Sequence, residues 1–208
     1  MPAYEVEHVV PLNSQQKDEI AQSITAAHTS LFTTPSLFVN VRFTDTSNQD
    51  VYVGGKKVEL SVPRQHVAKE AYLIQKRTNR ILAHVRPGGG RSSTQFNELC
   101  SKLELMWATH ARQSDSGGPD DWDLRIFVLG SIVAGSEGGL PLPKVRLDLT
   151  FQPRSETDDA NRMIDRQAGE DAKWIQDNFE IFKARANSGD QDYVDLLEEL
   201  KGRSDLHA

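Results

Sequence analysis

The feature that most constrains this chain is a repeated order of strand, capped helix and strand. Each of two helical stretches starts with a polar residue and a glutamine three positions later, at Asn13 with Gln16 and at Ser92 with Gln95. This is the spacing of a capping box, which predicts a helix start at each place. Apolar residues then recur at helical spacing, namely Ile20, Ile24, Ala27 and Leu31 in the first stretch and Phe96, Leu99, Leu103, Met106 and Trp107 in the second. Each stretch is therefore predicted to be a helix with one buried face.

Alternating apolar and polar residues flank both helices and predict four strands, at 3–10, 37–43, 79–86 and 124–133. This order predicts a fold of the α/β (α+β) class, with two tandem βαβ units that form a four-stranded sheet and two helices on one face. The other face of the sheet then needs a partner, and oligomerisation is the simplest way to cover it.

Two parts of the sequence lie outside this repeat. The core is predicted at 2–150, and an acidic helical extension follows at 151–208. Apolar residues at helical spacing between 158 and 200, interrupted at Ser188-Gly189-Asp190, predict two C-terminal helices that pack across the core or a neighbouring subunit. The segment 58–75 stands between the two units, and we interpret it as an insertion into an otherwise short connection.

Composition and charge limit the partners that we expect. The net charge is -6 and there is no run of Lys or Arg, which argues against nucleic acid or an anionic membrane. The single cysteine, Cys100, excludes an intrachain disulfide framework and a Cys-based zinc site, and we expect neither a metal nor a cofactor. No stretch approaches the roughly 20 apolar residues of a membrane span, and the chain does not start like a signal peptide. We therefore expect a soluble, cytoplasmic protein.

Five short segments, in this order, are typical of one enzyme family. They lie at 1–4, 23–28, 51–55, 81–99 (with His84 and Gly90-Arg91-Ser92) and 140–143 (Leu-Pro-x-Pro). Together they resemble the tautomerase superfamily, and within it the branch of cis-3-chloroacrylic acid dehalogenase and its fungal relatives. The resemblance covers about residues 2–57 and 76–145. It implies two fused βαβ units that assemble as a homotrimer.

The resemblance implies that Pro2 becomes the N-terminal residue after removal of Met1 and is the catalytic group. The pKa of an unperturbed α-amine is ~8, and burial beside cationic groups disfavours its protonated form. A general base is most effective when its pKa lies near the working pH, and a secondary amine can also form an iminium with a carbonyl compound. The alternative is that Pro2 merely follows the initiator methionine.

Arg91 and His28 are the candidate groups for binding a substrate carboxylate. Arg91 precedes a capped helix, where backbone N–H groups attract anions and a guanidinium adds a bidentate grip. The resemblance gives His28 the same role, and because the first arginine of the family aligns with Gly88 here, we expect Arg86 to substitute for it. The alternatives are a solvated arginine and a helix-end histidine that interacts with the helix dipole. Weaker pocket candidates are Tyr4, Thr34, Phe38 and Asn40, and His84 is predicted to be structural.

The resemblance leaves three functions open. The first is a cofactor-independent tautomerase, in which neutral Pro2 moves a proton of a small carboxylate-bearing enol or 2-oxo acid. The second is a hydrolytic dehalogenase or hydratase of a 3-substituted acrylic acid, in which protonated Pro2 is the acid and Glu137 activates water. Phe127 falls at or near the position of the tyrosine that such an enzyme uses, and Glu137 is displaced from the position of its glutamate. The third is a non-catalytic trimeric binding or scaffold protein, which C-terminal helices that cover the pocket would favour.

Overall fold

The computed structural model describes residues 2–53, 55–57, 79–86, 91–111, 124–132, 135–137, 139–142 and 171–206. In chain order the helices and strands are β1 (Ala3–His8), α1 (Ser14–Leu31), β2 (Asn40–Asp45), β3 (Tyr52–Val53), β4 (Lys56–Lys57), β5 (Asn79–His84), α2 (Ser93–His110), β6 (Leu124–Leu129), β7 (Ser136–Glu137), β8 (Leu140–Pro141), α3 (Asp171–Asn187) and α4 (Gln191–Gly202). Short 3₁₀ turns lie at Ser36–Phe38 and Ser204–Leu206.

The four longer strands form one sheet in the order β2-β1-β5-β6. β1 runs parallel to β2, and β5 runs parallel to β6, so each pair belongs to one βαβ unit. The two units meet where β1 pairs antiparallel with β5. Helices α1 and α2 pack against each other, and the predicted fold class is confirmed.

Both predicted capping boxes are present. The Asn13 side chain accepts a hydrogen bond from the Gln16 amide at 2.8 Å, and the Ser92 hydroxyl accepts one from the Gln95 amide at 3.2 Å. The apolar stripes of the two helices lie in one cluster with the inward side chains of the sheet. Its buried members are Tyr4, Val6, Val10, Leu12, Ile20, Ile24, Ala27, Phe32, Ile81, Ala83, Val85, Leu99, Leu103, Met106, Trp107 and Ala111.

The predicted second strand begins later than its alternating pattern indicated. Pro35 precedes a 3₁₀ turn at Ser36–Phe38, so β2 starts at Asn40 and not at 37. Phe38 turns away from the sheet and packs at 5.4 Å, between ring centroids, from Trp174. The other strands end somewhat earlier than predicted, at His8, His84 and Leu129.

The C-terminal extension consists of two helices, α3 and α4, which are separated at the predicted break. Gly189 has φ 94°, a left-handed conformation that glycine adopts without strain. The helices bury a second apolar cluster. Two of its buried members, Phe38 and Leu140, come from outside the extension. Residues 143–170 and the predicted insertion at 58–75 lie outside the described residues. Among the described helices, none combines the length and the apolar composition that crossing a membrane requires.

One face of the sheet carries exposed apolar side chains. On β6, Ile126 and Val128 pack against the main cluster, whereas Phe127 is 47% exposed and Leu129 is 37% exposed. Successive side chains of a strand point to opposite faces. Phe127 and Leu129 therefore lie on the face opposite the two helices.

Candidate active site

The start of β1 lies at the sheet edge where β5 ends. Pro2 is buried, and its carbonyl accepts a hydrogen bond from the Asn40 amide at 3.2 Å. Ala3 pairs with His84, so β5 runs past the start of β1 towards Arg86. Because side chains alternate along a strand, Pro2 faces the same side of the sheet as Tyr4, the side that the helices cover.

Tyr4 and His28 form a buried hydrogen-bonded pair on that side. The Tyr4 hydroxyl lies 2.8 Å from His28 Nδ1, and the two side chains are 1% and 0% exposed. Burial lowers the pKa of His28 to about 3, and the Arg91 guanidinium and the N-terminal ammonium group act in the same direction. Burial also raises the pKa of the Tyr4 hydroxyl. At neutral pH the imidazole is therefore neutral and the phenol is protonated.

The second ring nitrogen of His28, Nε2, is buried and has no hydrogen-bond partner among the described atoms. A buried polar atom without a partner is costly. This nitrogen is therefore a natural place for a ligand atom to bind.

Arg91 is held against an aromatic ring beside this pair. Its guanidinium lies 4.6 Å from the centroid of the Phe32 ring, and Phe32 lies 4.7 Å from the His28 ring. Arg91 donates to the Arg86 carbonyl at 3.2 Å and to the Thr34 hydroxyl at 3.5 Å. Burial lowers the pKa of Arg91, although Asp171 opposes the shift. A guanidinium stays charged in proteins, so the site contains a desolvated cation and not a solvated arginine.

The first residue of α3 reaches the same place. Asp171 Oδ1 accepts from Arg86 Nη1 at 2.7 Å, and Asp171 Oδ2 lies 3.4 Å from Arg91 Nη2. The side chains of Arg86, Arg91 and Asp171 are 2%, 8% and 13% exposed. Two arginines and one carboxylate therefore lie together next to the start of β1.

The predicted site residues divide into two groups. Those near the start of β1 are Pro2, His28, Thr34, Arg86 and Arg91. Asn40 is also next to Pro2 through its backbone, although its side chain is exposed. Phe38 lies in the C-terminal cluster, and Phe127 lies on the uncovered face of the sheet.

Glu137 and His84 are the two remaining predicted residues. Glu137 is part of the β7–β8 hairpin, where its backbone pairs with Leu140, and its side chain lies outside the described parts of the structure. His84 Nδ1 lies 3.1 Å from the Ser131 hydroxyl, and its Nε2 lies 3.7 Å from Glu5. The glycine-rich turn at 87–90, including Gly88, is likewise outside the described residues.

Two residues of the site were missed by the sequence analysis. Phe32 stands four positions after His28, a spacing that places two side chains on one helix face, and this spacing could have indicated it. Asp171 is 80 positions from Arg91 and belongs to no recognised segment. Only the packed structure brings it to the arginines.

One known protein family matches the N-terminal part of the chain. Residues 1–88 match a family described as "putative oxalocrotonate tautomerase enzyme". No curated protein sequence matches the chain.

Several solved structures are similar to the chain at low sequence identity. N1, a member of the cis-3-chloroacrylic acid dehalogenase family, is 15% identical, with a TM-score of 0.50 over 93% of this chain and 99% of its own. A probable enzyme from the thermophilic fungus Aspergillus fumigatus is 17% identical, with a TM-score of 0.48 over 71% of this chain and 88% of its own. A variant of RhCC from Rhodococcus jostii RHA1 is 17% identical, with a TM-score of 0.45 over 74% and 93%. At these identities, the likeness to N1 shows a common fold and nothing more.

The burial of His28 generates a prediction for stability. Its folded-state pKa, about 3, lies below its ordinary value of 6.5. The contribution of the neutral imidazole to the free energy of unfolding is therefore fully present above pH 6.5 and is lost as the pH falls towards 3. We expect the wild-type protein to lose about 1.4 kcal/mol more per pH unit than His28→Gln in this window. Urea unfolding of both proteins between pH 7 and pH 4 measures this difference.

The control is circular dichroism at pH 7, which should show the same secondary structure in both proteins. Parallel pH profiles of the free energy of unfolding would contradict a buried neutral imidazole at this position.

Proposed function

We propose that this chain, whose first 88 residues match a family of putative oxalocrotonate tautomerases, is a cofactor-independent isomerase of a small carboxylate-bearing enol or 2-oxo acid. One observation carries the proposal: a buried Pro2 begins the strand that bears Tyr4, where neutral His28 and two buried arginines meet. These groups supply a base, a neutral donor and cations in one desolvated place.

Pro2, once Met1 is removed, would be the base. Burial and neighbouring cations both disfavour an ammonium, so a secondary amine at the start of β1 would be largely neutral near pH 7. It would take a proton from the enol hydroxyl or from the carbon α to the carbonyl, and return it at the other site. Negative charge develops on the substrate oxygens in this step, and preorganised cations stabilise it.

Arg91 would bind the substrate carboxylate. A guanidinium can donate two parallel hydrogen bonds to a carboxylate, and the Phe32 ring fixes its plane. Arg86 lies next to it through the hydrogen bond from Arg91 to the Arg86 carbonyl. The described side chains at this site include two guanidinium groups and one carboxylate. This excess of positive charge favours an anionic substrate.

His28 would act as a neutral hydrogen-bond donor. When the Tyr4 hydroxyl donates to Nδ1, the single imidazole proton lies on Nε2. Nε2 is the buried nitrogen that has no partner among the described atoms, so it would donate to the carboxylate or to the developing enolate oxygen. Tyr4 is then a positioning residue, because it fixes the tautomer of His28.

A second candidate function is a binding protein with an internally occupied pocket. The contact of Asp171 with Arg86 and Arg91 favours it, since the C-terminal extension reaches the proposed carboxylate site. The hydratase alternative depends on Glu137 and has no such observation behind it. All three alternatives make different predictions for Pro2.

The chain would act as a homotrimer. The family resemblance suggests this assembly, and the exposed apolar side chains of Phe127 and Leu129 supply a surface for it. Contacts between copies through this face would bury the side of the sheet that the helices leave open.

The first prediction concerns Pro2. We expect Pro2→Ala to lower the rate of phenylenolpyruvate ketonisation by at least about 10²-fold, the lower range for loss of a positioned general base. The matched control is Pro11→Ala at an exposed position, which should keep its activity. Mass spectrometry of the mature N-terminus must show that Met1 is absent.

The pH dependence of kcat separates the alternatives. A base mechanism requires neutral Pro2, so the rate should rise with pH through the pKa of the amine. A hydratase that needs protonated Pro2 would show the opposite slope with 3-haloacrylates. Equal activity of Pro2→Ala and wild type would exclude Pro2 as the catalytic group, and no activity in wild type would leave the binding protein as the function.

The second prediction concerns Arg91. Lysine keeps the positive charge but loses the planar, bidentate fork, so we expect Arg91→Lys to raise KM for phenylenolpyruvate by about tenfold or more. Steady-state kinetics measure this, with Arg42→Lys as the control because Arg42 is an exposed arginine of β2. An unchanged KM would place the substrate carboxylate elsewhere.

The third prediction concerns the uncovered face of the sheet. We expect Phe127→Lys to shift the assembly towards the 23.3 kDa monomer, because a buried lysine in an interface would be desolvated without a partner. Sedimentation equilibrium measures the mass. Leu105→Lys, at a 70% exposed position on α2, is the control, and equal masses for the two variants would exclude this face as the interface.

A further inference from the structure

The first turn of α3 places a carboxylate where the proposed function needs a substrate carboxylate. Asp171 offers one oxygen to each of the two arginines, Arg86 at 2.7 Å and Arg91 at 3.4 Å. A guanidinium N–H group that donates to Asp171 cannot at the same time donate fully to a ligand. The two carboxylates are therefore alternatives at Arg91.

The two contacts of Asp171 differ in strength. The bond to Arg86 has the length of a good charge-assisted hydrogen bond, whereas 3.4 Å is beyond the usual range for N–H···O. The same Arg91 nitrogen reaches Thr34 at 3.5 Å, which is also long. Arg91 Nη2 thus has two poor acceptors, and an incoming carboxylate could replace them with a shorter bond. Displacement of Asp171 from the site must also break its shorter bond to Arg86.

The rest of α3 is attached away from the arginines. Trp174 donates to the Pro141 carbonyl at 2.8 Å and packs against Phe38 and Phe182. These residues belong to the second apolar cluster, which is separate from the main core. The start of α3, Asp171 to Lys173, can therefore move without disturbing the sheet. While Trp174 holds α3 in place, Asp171 is present at a high effective concentration.

The C-terminal end of α4 is hydrogen-bonded to Thr34 and Ser36, next to the site. Arg203 donates to the Thr34 carbonyl at 3.1 Å, and Glu199 accepts from the Ser36 amide at 3.0 Å. Thr34 thus contacts Arg91 through its side chain and the C-terminal helices through its backbone. This connection keeps the extension seated next to the site.

We propose that Asp171 is an internal competitor for the carboxylate site, and that a carboxylate ligand binds Arg91 by displacing the first turn of α3. This proposal rests on the proposed function only in taking Arg91 as the group that binds the carboxylate. It makes the docked extension a built-in regulator of that site. The apparent affinity for a carboxylate is then reduced by the fraction of molecules in which Asp171 occupies the arginines.

The direct test is the binding of an unreactive carboxylate, 3-phenylpropionate, to the full chain by calorimetry. We expect Asp171→Asn to bind it at least about tenfold more tightly than wild type, because the amide carries no charge to compete for the guanidinium. The matched control is Asp177→Asn, which removes the same charge from the exposed side of α3, where Asp177 pairs with Lys173. Its affinity should equal that of wild type.

The opposite result would have a clear meaning. If Asp171→Asn binds the probe equally or more weakly, Asp171 orients the arginines for the ligand, and the proposal is overturned. A gain of the same size in Asp177→Asn would also overturn it, because the effect would then come from net charge alone.

A second measurement needs no substitution and covers the case in which Asp171→Asn does not fold. Deuterium exchange of wild-type amides in the first turns of α3, residues 171–177, should become faster when 3-phenylpropionate saturates the protein, because displacement opens this turn. The uncharged analogue 3-phenylpropanamide should leave exchange unchanged. Slower or unchanged exchange with the carboxylate would overturn the proposal.

The outcomes separate this inference from the proposed isomerase activity. If Pro2→Ala has full activity, or wild type has none, while Asp171→Asn still binds the probe more tightly, the competitor remains and the Pro2-dependent isomerase is excluded. If Pro2 is required for catalysis and the probe affinities are equal, the isomerase remains and the competitor is excluded.

Discussion

The site depends on the antiparallel pairing of β1 with β5. Each βαβ unit by itself contributes a parallel pair of strands, and this pairing joins the two pairs into one sheet. Its register, Ala3 opposite His84, brings the start of the chain beside the residues that follow β5. A slip of one residue would turn Tyr4 to the other face of the sheet, and its hydrogen bond with His28 would be lost. The register therefore fixes both the core and the neighbours of Pro2.

Burial gives the site its electrostatic character. The same desolvation that keeps His28 neutral leaves Arg91 as a cation with few hydrogen-bond partners. A neutral imidazole can donate to an oxygen without adding a charge that would have to be compensated, while the guanidinium supplies the attraction for an anion. A secondary amine in the same surroundings would be shifted towards its neutral form. Base, donor and cation thus follow from one physical cause.

Local patterns predicted those parts of the fold that local interactions determine. The capping boxes at Asn13 and Ser92 and the apolar stripes of α1 and α2 depend on residues three or four positions apart, and the structure has them as predicted. The tautomerase resemblance agrees with the family match over residues 1–88.

Longer-range packing determines the features that local sequence patterns did not predict. Alternation from 37 onward resembled a strand, but Phe38 packs against Trp174 and Phe182 and does not lie on the sheet. Alignment suggested Phe127 as a pocket residue, which stays a prediction; the alternation along β6 places its side chain on the uncovered face of the sheet. The contact of Asp171 with the arginines joins segments that no local rule connects.

Without a ligand, the positive charges of Arg86 and Arg91 need compensation from within the protein. Two buried guanidinium groups side by side repel each other, and an uncompensated buried charge costs several kcal/mol. Asp171 supplies a compensating negative charge from within the chain. Because the desolvation of both partners largely offsets their attraction, a buried ion pair adds little net stability. An exchange of Asp171 for a ligand carboxylate then replaces one nearly balanced pair with another, so the site can be protected when it is empty and still release Arg91 at small cost.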